Sequence, residues 1–404
     1  MKSTRTIFPA IAVTGAVLLA TSAFAQGGGG RGRGPGVASP EVGADKTVTF
    51  RYVAPPNAQQ ITVSGELGGK SYPMTKGENN VWTAKTDPLA PDIYTYSFNV
   101  DGVVALDPRN TNTKMGYGGF GPVSVVEVPG DNGPAFYDVK NVPHGAVRIQ
   151  PYFSKTMGVG RTVWIYTPPG YDTGKSYPVF YLMHGAGDIE SGWTLIGRAN
   201  NILDNLIAEG KAKPMVVVMP LGHAIQSFYA GPSKNAATPA PAAGAAAPAA
   251  PAAPGGPATL SLFARDLLED VMPMVEKTMK VSAKPEDRAV GGLSMGGGQT
   301  INIAFSHPEL FKYVVLMSPA APNAASLEAA YPNFFGDIAA ANKRFKLFWM
   351  AVGKDDTLVG NADKAFDEKL TAVKFNHAFK LTDGRHEWTV WRYHLNEVAP
   401  LLFK

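Results

Sequence analysis

The five residues Gly292-Leu293-Ser294-Met295-Gly296 set a hydroxyl nucleophile between two glycines. A G-x-S-x-G run holds its serine on a sharp turn when an apolar strand precedes it and a helix follows. Arg288-Ala289-Val290-Gly291 reads as the end of a short buried strand, and from Gly297 a helix can run through Ile301, Ala304 and Phe305. It should stop near His307, because the residue before Pro308 disfavours helical backbone. The glycines let strand and helix approach without a Cβ clash, while the turn holds the serine backbone under strain. Ser294 Oγ would then stand beside the positive end of a helix. The same residues also fit a glycine-rich turn with a solvated serine, so the rest of the chain must decide.

A serine hydroxyl attacks only when a base takes its proton and a third group orients that base. For a serine on such a turn, the acid and then the histidine are expected later in the chain. Of seven histidines, His144, His184 and His223 precede Ser294. His307 caps the helix after the turn, His377 opens a strand, and His394 lies late in a helix. His386 lies in Asp383-Gly384-Arg385-His386-Glu387-Trp388, a loop after the last strand, Ala378 to Leu381, which is where the base belongs. For the acid, Gly353-Lys354-Asp355-Asp356 begins where a buried strand ends. Either aspartate could turn to His386, and order alone does not separate them. Asp363 and Asp367 read as the solvated face of the next helix. An oxyanion needs two preorganised backbone N–H donors, each worth about 3 kcal/mol. One should be Met295, and the other should come from His184-Gly185-Ala186-Gly187, after a central strand.

The elements that must hold these groups alternate between strand and helix. Thr162 to Thr167, Tyr177 to Met183, Met215 to Met219, Tyr313 to Met317 and Leu347 to Val352 are apolar strands, and Ala199 to Ala208 is helical in period. From residue 135 to 404 this predicts an α/β domain, a largely parallel sheet with helices on both faces. The alanine–proline run at 236–258 is expected to be extended, as a lid or an inert insertion, with inert the stronger reading.

Residues 45–130 predict a small all-β sandwich. Thr47 to Val53, Ile61 to Ser64, Val81 to Ala84 and Ile93 to Val100 are strands, and Asp101-Gly102 is a hairpin turn. In the fourth strand Ile93, Thr95, Ser97 and Asn99 share one face and the aromatics the other. Trp82, Tyr94, Tyr96 and Phe98 either fill this sandwich or form a flat platform for sugar rings. The core reading is the stronger, since large aromatics dominate small cores.

At the start of the chain, Lys2 and Arg5, the apolar run Ile7 to Leu19 and Ala23-Phe24-Ala25 have the form of a secretory signal over residues 1–25. A flexible Gly/Arg-rich leader is expected over 26–44, and no other apolar run is of spanning length. The expected product is exported to a bacterial periplasm or exterior, without a membrane anchor. With Cys 0, disulfides and thiol catalysis are excluded. The formal charge of +4 is carried by Lys2, Arg5, Arg31 and Arg33, all ahead of the first acidic residue, Glu41. The body therefore lacks the basic footprint of a nucleic-acid binder. Nothing in the chemistry calls for a metal or other cofactor.

Five segments in order, "YLMHGAGDIESGW", "NLIAEGKAKPMVVVMP", "AVGGLSMGGGQT", "VGKDDTL" and "GRHEWTVWR", resemble the esterase D-like family of α/β-hydrolases. More closely, the chain resembles bacterial feruloyl and acetyl-xylan esterases (carbohydrate esterase family 1-like), with siderophore esterases as relatives. The likeness covers nearly all of 45–404, and "IYTYSFNVDGVVALDPRN" is similar to the immunoglobulin-like, carbohydrate-module-like domain that precedes such esterases. The resemblance implies an α/β-hydrolase fold and a Ser-His-Asp acyl-enzyme mechanism on hydroxycinnamoyl or acetyl esters of cell-wall glycans. It selects Asp356 as the acid, maps the base onto His386 and the early oxyanion donor onto Ala186. The alanine–proline insertion departs from the family pattern and leaves the acyl pocket open. Trp193 and Trp388 are candidates for walls of an aromatic acyl slot, ahead of Phe228, Tyr229 and Trp391. The alternatives are a siderophore esterase, with Arg198 and Arg385 as scattered basic candidates, and a catalytically inert glycan-binding protein.

Overall fold

The computed structural model describes residues 37–118, 121–173, 176–227 and 258–404. The signal expectation at 1–25, the leader expectation over 26–36, most of the alanine–proline run, and Phe228 and Tyr229 lie outside the described residues. Over 37–44 the leader expectation is corrected, since Glu41–Val42 pair with Val48 and Thr49 as a strand.

The N-terminal strands are β1 (Glu41–Val42), β2 (Val48–Val53), β3 (Ile61–Gly65), β4 (Tyr72–Pro73), β5 (Thr75–Lys76), β6 (Val81–Lys85), β7 (Asp92–Val100), β8 (Val103–Ala105), β9 (Thr113–Lys114) and β10 (Val123–Val128). They form two antiparallel sheets, β1-β2-β6-β5 and β4-β3-β7-β10-β9, with β8 beside β7. Asp101 (φ 48°) and Gly102 (φ 90°) turn β7 into β8, as an Asp-Gly hairpin requires. Alternation along β7 sends Tyr94, Tyr96 and Phe98 into the core between the sheets, with Phe50, Val63 and Trp82. Trp82 and Tyr94 are 6% exposed, Tyr96 1% and Phe98 0%, so none offers a face to a sugar ring. The platform alternative is thereby corrected: these four rings hold the sandwich together. On the opposite face of β7, Ile93 joins the core of the larger domain.

That domain is built on one eight-stranded sheet. Its strands are β11 (Ala146–Ser154), β12 (Val159–Thr167), β13 (Val179–Met183), β14 (Val216–Pro220), β15 (Arg288–Leu293), β16 (Tyr313–Met317), β17 (Leu347–Gly353) and β18 (Ala378–Thr382), in the order β11-β12-β14-β13-β15-β16-β17-β18. The β11–β12 and β12–β14 pairings are antiparallel, and every pairing from β14 to β18 is parallel. The helices are α1 (Gly192–Leu195), α2 (Ala199–Ala208), α3 (Leu262–Asp266), α4 (Met272–Thr278), α5 (Met295–Ser306), α6 (Leu327–Ala330), α7 (Pro332–Phe335), α8 (Ile338–Arg344), α9 (Gly360–Ala372) and α10 (Trp388–Val398).

Burial on both faces explains why β13 is apolar throughout. Val179, Tyr181 and Met183 pack with Phe263, Ile301, Phe305 and Phe366 on one side. Phe180 and Leu182 pack with Ile202, Leu203, Trp391 and Leu395 on the other. The C-terminal ends of β13, β15, β17 and β18 lie along one edge, the edge at which ligands bind in open α/β sheets.

Candidate active site

Ser294 is the N-cap of α5, with φ 50° and ψ −120°. A positive φ on a serine is strained and persists only where the surroundings enforce it. Its N–H donates to Met317 O at 3.0 Å, and its own carbonyl accepts from Gly298 and Ala320 N–H at 3.1 and 2.9 Å. The flanking glycines are sterically required. A Cβ on Gly292 would lie 2.7 Å from the Gly296 carbonyl carbon, and one on Gly296 2.6 Å from His184 O. Strand and helix thus meet backbone to backbone around the serine.

His386 follows β18 and lies with Nε2 2.9 Å from Ser294 Oγ and Nδ1 2.7 Å from Asp356 Oδ2. The edge of Trp391 meets the imidazole at 5.0 Å between ring centroids. Asp356 follows β17. Its other oxygen accepts from the N–H groups of Leu358 and Val359, both at 3.0 Å. Burial pushes this carboxyl upward, but the His386 hydrogen bond and charge and the two amides outweigh it and hold the group below the usual aspartate value. Asp355 is exposed. The geometry separates two aspartates that chain order could not. Gly353 and the Gly384 carbonyl are so close that a Cβ on Gly353 would sit 2.5 Å from that oxygen, which locks the acid turn against the base loop.

The residues expected as oxyanion donors are Met295 and Ala186. Met295 opens α5, where first-turn N–H groups have no intrahelical acceptor. Ala186 is half-buried one residue after Gly185, and a Cβ on Gly185 would lie 3.3 Å from Ser294 Cβ. His184 anchors this loop from below. Its Nδ1 donates to Gly185 O at 2.8 Å, and its Nε2 accepts from Gly222 N–H at 2.8 Å. Complete burial pushes its pKa down to about 4, so the ring is neutral, as that pairing requires.

Two expectations fail on burial. Trp193 and Trp388 are 1% and 2% exposed and pack edge to face against each other, so they cannot wall a substrate slot. Trp193 Nε1 instead donates to Met183 O at 3.0 Å, fixing the start of the loop that bears Ala186. Asp363 does not face solvent. It is 0% exposed on the inner side of α9, and burial raises its pKa to about 8.

Several residues of the site's support escaped the sequence reading. Buried Arg161 donates to His223 O at 2.8 Å and also to Leu221 O and Ile225 O, fixing the loop after β14. Lys114, Tyr117 and Glu66 of the sandwich reach the loops that bear Ala186 and His386. A nearby signal existed for Asp363: Gly360, Asp363, Phe366 and Leu370 share one helical stripe.

The family model described as "Putative esterase" matches residues 154–402. The chain belongs to this esterase family. It has an α/β-hydrolase fold, preceded by an all-β domain. It is 30% identical over 378 residues to an endo-1,4-beta-xylanase/feruloyl esterase of Xylanibacter ruminicola, covering 92% of this chain and 46% of that protein. The chain thus spans less than half the length of the curated relatives it matches. Among solved structures it resembles a CE1 ferulic acid esterase from Anaeromyces mucronatus in complex with ferulic acid (TM-score 0.52, 23% identity, 67% of this chain and 96% of that one). It also resembles the enterochelin esterase of Shigella flexneri (TM-score 0.63, 18% identity, 89% of this chain and 92% of that one). At these identities the two structures speak for the fold alone. Among the described residues no helix is long and apolar enough to cross a membrane, and no cluster of three or more metal-ligating side chains occurs.

Proposed function

We propose that this chain is an exported serine esterase that removes hydroxycinnamoyl or acetyl groups from plant cell-wall polysaccharides. The observation that carries the mechanism is the unbroken series Ser294 Oγ, His386 Nε2, His386 Nδ1, Asp356 Oδ2, at 2.9 and 2.7 Å. Ser294 Oγ attacks the ester carbonyl as its proton passes to His386 Nε2. Negative charge develops on the carbonyl oxygen, where Met295 and Ala186 N–H donate to it. Collapse breaks the bond to the alcohol, which leaves with the proton from His386, and the acyl group stays on Ser294. Water then attacks the acyl-enzyme by the same route, releasing the acid and restoring the serine. Asp356 keeps the Nδ1–H tautomer in place and stabilises the imidazolium that forms.

The acyl and glycan assignments are supported by the resemblance over nearly the whole chain to a protein named a xylanase/feruloyl esterase. A second reading, a siderophore ester hydrolase, is favoured by the enterochelin esterase fold, which matches across both domains. Exposed Arg385, beside His386, is a basic group available to a catecholate. A purely glycan-binding role for an inert hydrolase has no support in a site with all three groups aligned. Export rests on the form of residues 1–25.

Hydrolysis of methyl ferulate, acetylated xylan, enterochelin and p-nitrophenyl acetate by wild type and Ser294→Ala tests these readings. Ferulate release lost by several orders of magnitude in the variant supports the proposal. Enterochelin cleavage without ferulate release would transfer it to siderophores. Equal rates for both proteins would remove Ser294 from the chemistry.

A further inference from the structure

The oxyanion loop carries a buried charge that the ester chemistry does not itself use. Asp188, three residues after Gly185, is 4% exposed, and its carboxylate pairs with the Lys114 ammonium, itself on a residue 8% exposed. Lys114 belongs to β9, so the pair joins the sandwich to the hydrolase. Further along the same segment, Tyr117 N–H donates to Gly187 O at 3.3 Å, and its ring lies on His223 at 4.0 Å between centroids. His223 Nε2 in turn donates to Asp188 O at 3.0 Å. The loop bearing Ala186 is therefore held from the sandwich side at two successive residues, Gly187 and Asp188.

Charge makes this contact more than a brace. A Cβ on Gly185 would lie 3.3 Å from Ser294 Cβ and 3.8 Å from Asp188 Oδ2. The nucleophile and the Asp188 carboxylate thus flank the same glycine. A buried carboxylate stripped of its partner is costly in itself. Here it would also oppose the negative charge that develops on the ester oxygen, in a site where water screens little.

We propose that Lys114 is a positioning residue for ester hydrolysis: it neutralises Asp188 and clamps the oxyanion loop, so the sandwich completes the active site. The inference rests on Ser294 as nucleophile and Ala186 as oxyanion donor. Arg161 and the neutral rings of His184 and His223 lie around the pair.

The test uses the full chain and p-nitrophenyl acetate, with wild type, Ser294→Ala, Lys114→Met, Asp188→Asn and the Lys114→Met/Asp188→Asn pair. The readouts are kcat, KM, active-site titre with a fluorescent alkylphosphonate, and affinity for a trifluoromethyl ketone that mimics the tetrahedral intermediate. Lys114→Met should lower kcat about 100-fold, the scale of one lost oxyanion donor. KM and titre should stay nearly constant, and ketone affinity should fall in step with kcat. Asp188→Asn keeps an acceptor for Lys114 and removes the opposing charge, so its kcat should stay well above that of Lys114→Met. The double variant should recover much of the loss. Unchanged kcat in Lys114→Met, or equal losses in both single variants without recovery in the pair, overturns the proposal. Should Lys114→Met not fold, Asp188→Asn decides, since a 100-fold loss of kcat at full titre would overturn it. Retained activity in Ser294→Ala would overturn the nucleophile reading instead.

Discussion

Arg392 of α10 reaches across to Asp92 of the sandwich, with Nη2 2.6 Å and Nε 3.1 Å from one carboxylate oxygen. The arginine is 0% exposed, and two further N–H groups donate to Ile93 O at 2.7 Å and Ile196 O at 2.8 Å. A guanidinium spreads its donors over a plane, and here one residue ties together β7, the segment after α1, and α10. Breaking a buried pair strands a charge at a cost of ~3–5 kcal/mol. Asp92 is partly exposed, so the lower end applies. Arg392→Met should destabilise the protein by about 3 kcal/mol in urea unfolding, and Arg392→Lys nearly as much, because an ammonium cannot reproduce the fork. Ile93 sits in the hydrolase core, so sandwich and hydrolase should unfold in a single transition. Two separate transitions, or a loss below about 1 kcal/mol, would contradict this picture of the interface.

Glu66 gives a second link. Its Oε1 accepts from Trp388 N–H at 2.9 Å, while Oε2 accepts from Thr95 N–H and Oγ1 at 3.1 and 2.9 Å. The N-cap residue of α10, Glu387, provides no side-chain cap, so Glu66 satisfies a first-turn donor from another domain. Glu66→Ala should cost about 1 kcal/mol, the usual value of a cap. Because α10 begins two residues after His386, kcat on methyl ferulate should also fall, with Glu66→Gln closer to wild type. Equal kcat in all three proteins would detach this cap from the base loop.

On the proposed mechanism Ser294, His386 and Asp356 act as a unit, so their losses should not add. Ser294→Ala and His386→Ala should each lower kcat by roughly 10⁵–10⁶, and the double variant hardly further. Asp356→Asn, which keeps the shape but favours the wrong imidazole tautomer, should lose about 10⁴. Asp355→Asn should stay within about twofold, as expected for a surface change. A loss at Asp355 comparable to that at Asp356 would reverse the acid assignment.

How far the residues announce this arrangement depends on the range of the contact. The strands β13 to β17 and the turn at Ser294 are legible because each is local: apolar runs bounded by glycine, and a motif whose glycines the geometry forces. The Asp-Gly hairpin is legible for the same reason. β11 escapes because Arg148, Gln150 and Pro151 interrupt it, as befits an edge strand with an exposed face. Lys114–Asp188, Asp92–Arg392 and Glu66–Trp388 join residues 74, 300 and 322 positions apart, and no periodicity marks them. Trp193 and Trp388 mislead because an aromatic beside a predicted site looks the same in sequence whether it faces a cavity or a core.

Asp363 gives the pH prediction. Among the described residues its buried carboxyl oxygens have no well-formed hydrogen bond. Burial raises its pKa from 3.8 to about 8, against the pull of the Ala321 N–H, and the nearby Asp356 charge adds to the rise. The folded protein therefore keeps a proton that the unfolded chain releases above about 3.8. The group's contribution to stability is fully present below that value and is lost as pH rises toward 8. Asp363→Asn mimics the protonated form and cannot ionise. Relative to wild type, its Tm should therefore rise steadily between pH 5 and pH 8 and level off above. A neutral Asp363 adds no second charge next to Asp356, so kcat near pH 7 should change little. Thermal melts of both proteins at half-unit intervals decide the matter. A Tm difference that stays constant across the range would mean that Asp363 carries no bound proton in the folded state.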